Sequence, residues 1–289
     1  MKLYAPSTIK ELKEKHGFRL SKSLGQNFLT DKNIIDHIIE DSLISQNDLV
    51  IEIGPGIGVL TAEAAQVAAK VIAIEIDQGL IPILQETLRE YDNVTVVNQD
   101  VLKTDLKELI RENHCGGVRI IGNLPYYITT PILMKILEDR VPADSITVMM
   151  QKEVADRIKS APGNKTYGAL SVAVQYYCTV EQILSVSREV FIPQPKVDST
   201  VLRMDVRKEH PVELTDEKVF FQCIKAGFEQ RRKTLLNSLS GTAGLGKDAI
   251  RDILAVAGID PVRRPETLDL REFAAIANFM VDYTKDHQE

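Results

Sequence analysis

From Leu49 onward the chain alternates between short apolar runs and longer stretches of mixed polarity. The runs "LVIEIG", "KVIAIEID", "VTVVNQD", "VRIIGN" and "SITVMM" are β-rich and nearly unbroken in hydrophobicity, the pattern of strands buried on both faces of a parallel sheet. Between them, segments near 59–68, 79–90, 105–113 and 131–138 repeat their apolar positions at helical spacing. A helix near Tyr167–Tyr177 follows, then two more strand-like runs, "TVEQILSVS" and "STVLRMDVR". Seven strands alternating with helices predict an α/β fold of Rossmann-like kind with a mostly parallel seven-stranded sheet. Upstream, the pattern predicts a helix around Thr8–Lys15, then a loop, then a second helix capped by Asp31. That second helix carries Ile34, Ile35, Ile38 and Ile39 on one face.

After "RKEHPVELT" the strand signal ends. Only amphipathic helices remain, near 216–226, 232–239, 247–257 and 269–281. The expected division is therefore a first domain at 1–210, with a basic N-terminal extension at 1–30, and a small all-α domain at 211–289. Neither an internal repeat nor a low-complexity tract interrupts this plan.

Composition adds three constraints. No run reaches the roughly 18 apolar residues of a membrane span, and the start lacks an apolar signal core, so a cytoplasmic protein is expected. Cys115, Cys178 and Cys223 are far apart, which suggests neither a zinc site nor a disulfide framework. The net charge is −6, which alone argues against nucleic acid. Its distribution argues the other way: residues 1–25 carry Lys2, Lys10, Lys13, Lys15, Arg19 and Lys22 against only Glu11 and Glu14, and Arg231-Arg232-Lys233 forms a second basic knot. Local patches of this kind neutralise phosphates even on an acidic protein.

Candidate chemistry lies at the strand ends. "VIEIGPGIGVLT" places Gly54, Gly56 and Gly58 after the first strand of the sheet, with the acid Glu52 inside it. The spacing is G-x-G-x-G rather than the G-x-G-x-x-G of a pyrophosphate-binding turn. It suits a cofactor with no pyrophosphate but with an amino-acid end and a positive charge, as in S-adenosylmethionine. Glu75 ends the next strand, where a carboxylate can accept both ribose hydroxyls, and Asp100 ends the third, where one can accept from an adenine amine. The fourth strand ends in Asn123-Leu124-Pro125-Tyr126. An adenine exocyclic amine is a poor nucleophile because its lone pair is delocalised. Two acceptors, the Asn123 side-chain oxygen and the Leu124 carbonyl, would favour a pyramidal amine and stabilise the charge that grows during methyl transfer. Pro125 keeps Leu124 extended, and Tyr126 offers a ring for stacking the base.

The segments "LGQNFL", "EIGPGIGVLT", "IEID", "QDVL", "GNLPYYIT", "FIPQPKVDS", "FEQRRKTLLNSL" and "RRPETL", in this order, resemble the ribosomal RNA adenine dimethyltransferases. The likeness runs from about Lys22 to Phe279. It implies that Asn27 and Leu29 close over the methionine end of the cofactor, with Gln26 and Phe28 in the same segment. It further implies that Gly54 binds by backbone, that Glu75 takes the ribose and Asp100 the adenine, that Asn123 lies beside the transferring methyl, and that Phe191 supplies a second aromatic near the target base. The implied reaction is dimethylation of two adjacent adenosines in a hairpin loop near the 3′ end of 16S rRNA. The implied substrate is an immature 30S particle, with Arg231, Arg232 and Lys233 holding phosphates, and a monomer is expected. Two other readings share these motifs: a resistance methylase acting on 23S rRNA, and a non-catalytic factor in ribosome assembly.

Overall fold

A computed structural model describes residues 1–18, 25–113 and 116–287. Arg19, Lys22 and Cys115, which the sequence singles out, lie outside the described residues. Nine strands occur among the described residues: β1 (Phe28–Leu29), β2 (Leu49–Ile53), β3 (Lys70–Glu75), β4 (Val94–Asn98), β5 (Val118–Asn123), β6 (Ser145–Gln151), β7 (Cys178–Val186), β8 (Phe191–Ile192) and β9 (Ser199–Val206). Seven build one sheet in the order β4-β3-β2-β5-β6-β9-β7, and β1 pairs with β8 in a separate antiparallel pair. Strands β2 to β6 are mutually parallel, and β9 runs antiparallel to β6. All five residues of β2 are buried, as a central strand covered on both faces requires. Chain order runs outward in one direction through β3 and β4 and in the other through β5 and β6. The reversal between β2 and β5 is the point at which open α/β sheets bind ligands, outside the strands' carboxyl ends.

The expected helices form, with bounds set by local chemistry. Asp31 caps Lys32–Asp41 by accepting from the Asn33 and Ile34 amides, and Ile35, Ile38 and Ile39 are buried beneath it. Compactness divides the chain into two units, residues 1–155 with 179–206, and residues 156–178 with 207–289. The break at 206/207 is near the expected boundary at 210, but the segment 156–178 was expected in the first domain and groups with the second. The cause is aromatic packing: Tyr176, on the helix Ala169–Tyr177, meets Phe220 and Phe221 on the helix Glu217–Glu229, with ring centroids 5.2 and 5.6 Å away. In the second unit the helices Glu217–Glu229, Lys247–Val256 and Leu270–Asp286 bury Phe220, Ile250, Leu254, Phe273, Ile276 and Met280. Reciprocal hydrogen bonds between Asp269 and Glu272 start the last helix. The helix expected at 232–239 shrinks to Leu235–Ser238, because a turn from Gln230 to Lys233 and an extended Thr234 precede it.

Candidate active site

A cleft of about 980 Å³, its open mouth included, lies at the carboxyl ends of β2, β3 and β5 within the first unit. Its floor is the turn after β2. Gly54 and Gly56 have φ of +70° and +62°, a conformation that side chains rarely adopt. A Cβ on Gly56 would stand 2.9 Å from the Phe28 ring, so the missing side chain is what lets residues 25–29 lie over the turn.

Three carboxyl groups face this space: Glu52, Glu75 and Asp100. Among the described residues of its wall there is no Lys, Arg or His. Glu75, at the end of β3, accepts from the Gly56 amide at 3.2 Å and the Asp77 amide at 2.8 Å. Burial nonetheless pushes its carboxyl above the ordinary range, the two amides only partly opposing this. Glu52 is 1% exposed and accepts from the Thr61 hydroxyl. Burial, with a smaller push from the neighbouring Glu75 charge, raises its pKa to about 8. Asp100 holds the Leu102 amide with one oxygen, at 3.0 Å.

The opposite wall is Asn123 to Tyr126. The Asn123 side-chain amide donates to the Asn27 carbonyl at 2.8 Å, which fixes the amide plane and leaves its oxygen to accept. Leu124 donates its amide to the Met149 carbonyl, and its own carbonyl accepts no hydrogen bond among the described residues. The half-buried Tyr126 ring is held at its far end, where its hydroxyl lies 2.7 Å from Ser199 Oγ; burial raises its pKa. The segment 25–30 is fastened over the cleft by further bonds from Gln26 and Thr30, and braced internally by one from Asn27. Gln26 donates to Asp77 at 2.7 Å, Asn27 donates to the Gly25 carbonyl at 2.9 Å, and the Thr30 amide donates to the Val190 carbonyl at 2.9 Å.

Asn27, Leu29, Gly54, Glu75, Asp100, Asn123, Leu124 and Tyr126 thus border one cleft. Phe191 does not. It pairs with Leu29 across β1 and β8, is 2% exposed, and belongs to the apolar core, so the second aromatic implied by the resemblance is a packing residue in this structure. Arg231, implied as a phosphate ligand, donates instead to the carbonyls of Lys165 and Tyr167, at 2.9 and 2.6 Å. Arg232 and Lys233 are exposed. Sequence reasoning missed Asp77, Ser199 and Tyr127. Asp77 and Ser199 close the motifs "IEID" and "FIPQPKVDS", but only the fold shows what they touch.

The cleft fits S-adenosylmethionine on its own chemistry: three carboxyl groups, no basic side chain among the described residues, and bare glycine backbone where a ligand can approach. The sequence matches the family described as "Ribosomal RNA adenine dimethylase" over residues 17–280. It is 54% identical over 280 residues to the ribosomal RNA small subunit methyltransferase A of Clostridioides difficile (strain 630), covering 96% of this chain and 97% of that protein. Identity to the protein of the same name from Bacillus cereus (strain B4264) is 52% over 281 residues, 96% of each chain. Among solved structures, a dimethyladenosine transferase from Plasmodium falciparum superposes with TM-score 0.76 at 26% identity, covering 89% of this chain and 97% of that one. The 23S rRNA methyltransferase ErmE gives 0.66 at 26% identity, covering 88% and 99%. A match that runs through both units, with relatives more than half identical along nearly their full length, shows that this chain belongs to the ribosomal RNA adenine dimethylase family and is an S-adenosylmethionine-dependent rRNA methyltransferase.

Proposed function

We propose that the enzyme methylates, twice each, the exocyclic nitrogens of two adjacent adenosines in a hairpin loop near the 3′ end of 16S rRNA. It acts as a cytoplasmic monomer on an immature 30S particle. Relatives named for the small subunit are 52–54% identical, whereas the 23S enzyme is 26% identical, and this favours the small-subunit substrate. Among the described residues no helix is long and apolar enough to cross a membrane.

When bound, S-adenosylmethionine supplies an electrophilic methyl group on a sulfonium. Glu75 and Asp100 would hold its ribose and adenine ends, and Asn27, Leu29 and the Gly54 backbone its methionine end. The target base has to leave its stack to reach this depth, and Tyr126 receives it on a ring whose hydroxyl is anchored to Ser199. Asn123 Oδ1 accepts one N–H of the base, and the Leu124 carbonyl accepts the other. Both acceptors are fixed before the base arrives, so they stabilise the positive charge growing on the amine without reorganising. Proton loss to water follows bond formation, and no strong base is needed.

The observation that carries this reading is the Asn123 amide, oriented by the Asn27 carbonyl inside the acid-lined cleft. Asn123→Ala should lower methylation of undermethylated 30S subunits by about 10²–10³-fold, the usual cost of a lost charge-stabilising contact. Calorimetric titration should still show cofactor binding. Mass mapping of the rRNA that finds wild-type dimethylation would overturn the assignment. Subunit maturation that stays normal in cells carrying this variant would reveal a separate assembly role.

A further inference from the structure

Tyr127 follows the base-stacking Tyr126 and has no role in the mechanism above. Of the eight Phe and eight Tyr in the protein, it alone is exposed, at 55%. It is also part of the wall of the cleft. Its ring faces the strap over the site: a Cβ on Gly25 would lie 3.5 Å from Tyr127 Cδ1 and 3.7 Å from Cε1, so the ring stands one van der Waals contact from where a side chain at residue 25 would begin. Its hydroxyl makes no hydrogen bond among the described residues. Two consecutive tyrosines therefore have different situations. Tyr126 is half buried and tethered to Ser199, while Tyr127 stands at the rim with about half of its surface in water.

Leaving that much aromatic surface wet is unfavourable unless a flat apolar partner covers it. Such a partner arises in the reaction itself. When one nucleotide is extruded into the cleft, the base beside it loses a stacking neighbour and is brought to the rim by its short backbone link. We propose that Tyr127 is the subsite for the base adjoining the target, so that each of the two adenosines stacks there while the other occupies the cleft. This rests on the reading of Tyr126 and Asn123 given above and extends it from one base to two. It also supplies a physical reason for acting on neighbouring purines. A purine presents a larger face to the ring than a pyrimidine, so the subsite rewards adenosine at the flanking position as well as at the target.

The test crosses a protein change with an RNA change. Small subunits are reconstituted with 16S rRNA carrying either both adenosines or a uridine in place of one of them. Methylation of the remaining adenosine is then followed with wild type, Tyr127→Ala and Tyr127→Phe. The expected result for wild type is a kcat/KM about tenfold lower on the uridine-containing particle. Tyr127→Ala should be about tenfold slower than wild type on the native pair and show almost no further loss with uridine. Tyr127→Phe should behave as wild type, since the ring and not the hydroxyl is used. Rates are compared at saturating cofactor for each protein, so that any loosening of the strap by Tyr127→Ala does not enter the comparison. Wild-type kinetics for Tyr127→Ala, or an equal purine-over-uridine preference in wild type and Tyr127→Ala, would overturn the subsite. Tyr126→Ala and Asn123→Ala serve as controls: if they abolish methylation while Tyr127→Ala does not alter it, only the subsite falls. If they too are fully active, the reading of the cleft itself falls.

Discussion

Glu52 shows how a single side chain can be costly to the fold and suited to the site. It lies 1% exposed in the middle of the glycine turn's strand, with the Thr61 hydroxyl as its hydrogen-bond partner and the Glu75 carboxyl as its charged neighbour. Its pKa rises from an ordinary 4.5 to about 8 in the folded chain. Between those values the folded protein holds a proton that the unfolded chain has released, so stability contributed by this group falls as pH rises from about 4.5 to about 8. Glu52→Gln keeps an acceptor for Thr61 and cannot ionise. Its melting temperature without cofactor should match wild type near pH 5 and exceed it at pH 8; parallel curves for the two proteins across that range would contradict the assignment. At this scale the sequence was most informative where one residue type has one use. Glu75 and Asn123 end strands and Asp100 follows one by two residues, so the sequence could place all three at one rim, and they do border one cleft. Phe191 was not legible, because an aromatic in a short apolar run reads the same whether it meets a base or the core, and Leu29 across the β1–β8 pair places it in the core.

The glycine turn and the strap of residues 25–30 act together as elements. The turn gives up side chains, and the strap occupies the space with Phe28 and delivers the Asn27 carbonyl to Asn123. Gly56→Ala should therefore do two things. It forces a side chain into a left-handed conformation, and it drives a methyl group to within 2.9 Å of the Phe28 ring. A loss of about 1–3 kcal/mol in stability is expected, with a larger loss of methylation as the strap lifts. Adding Phe28→Leu, which removes the ring, should recover part of the stability, as thermal melts of the single and double variants would show; no recovery would mean that the ring contact is not what the glycine serves. The strap's pairing was invisible in the sequence, because strands of two residues leave no periodicity to read. The helix Lys152–Ile158 was missed for a related reason: it follows a strand directly, with no separating loop to announce a new element. Strands β2, β3, β5, β6 and β9 were legible because burial on both faces leaves a nearly unbroken apolar run, whereas the half-exposed edge strands β4 and β7 were legible from their β-branched residues.

Over the whole molecule, charge is sorted by task. The cleft is lined with acids for a cationic cofactor, while basic residues gather in the N-terminal helix and near 231–233, on a chain of net charge −6. The sequence displayed the cluster Arg231-Arg232-Lys233 but not the division of labour within it, which depends on the segment 156–178 folding back onto the C-terminal helices. Arg231 gives its guanidinium to the Lys165 and Tyr167 carbonyls and lies 6.0 Å from the centre of the Phe228 ring, so it fastens that returning segment. Arg231→Ala should cost about 1–2 kcal/mol of stability, because two carbonyls lose a charged donor. Arg232→Glu with Lys233→Glu should leave melting unchanged and weaken binding to 30S subunits. Each phosphate contact removed should lower the slope of log affinity against log salt by about 0.7–0.9. Binding isotherms at several salt concentrations, set beside melting curves for the same proteins, separate the two roles. If the double reversal leaves the salt slope unaltered and Arg231→Ala flattens it without destabilising the fold, then the tract's phosphate ligand is Arg231 and not the pair that follows it.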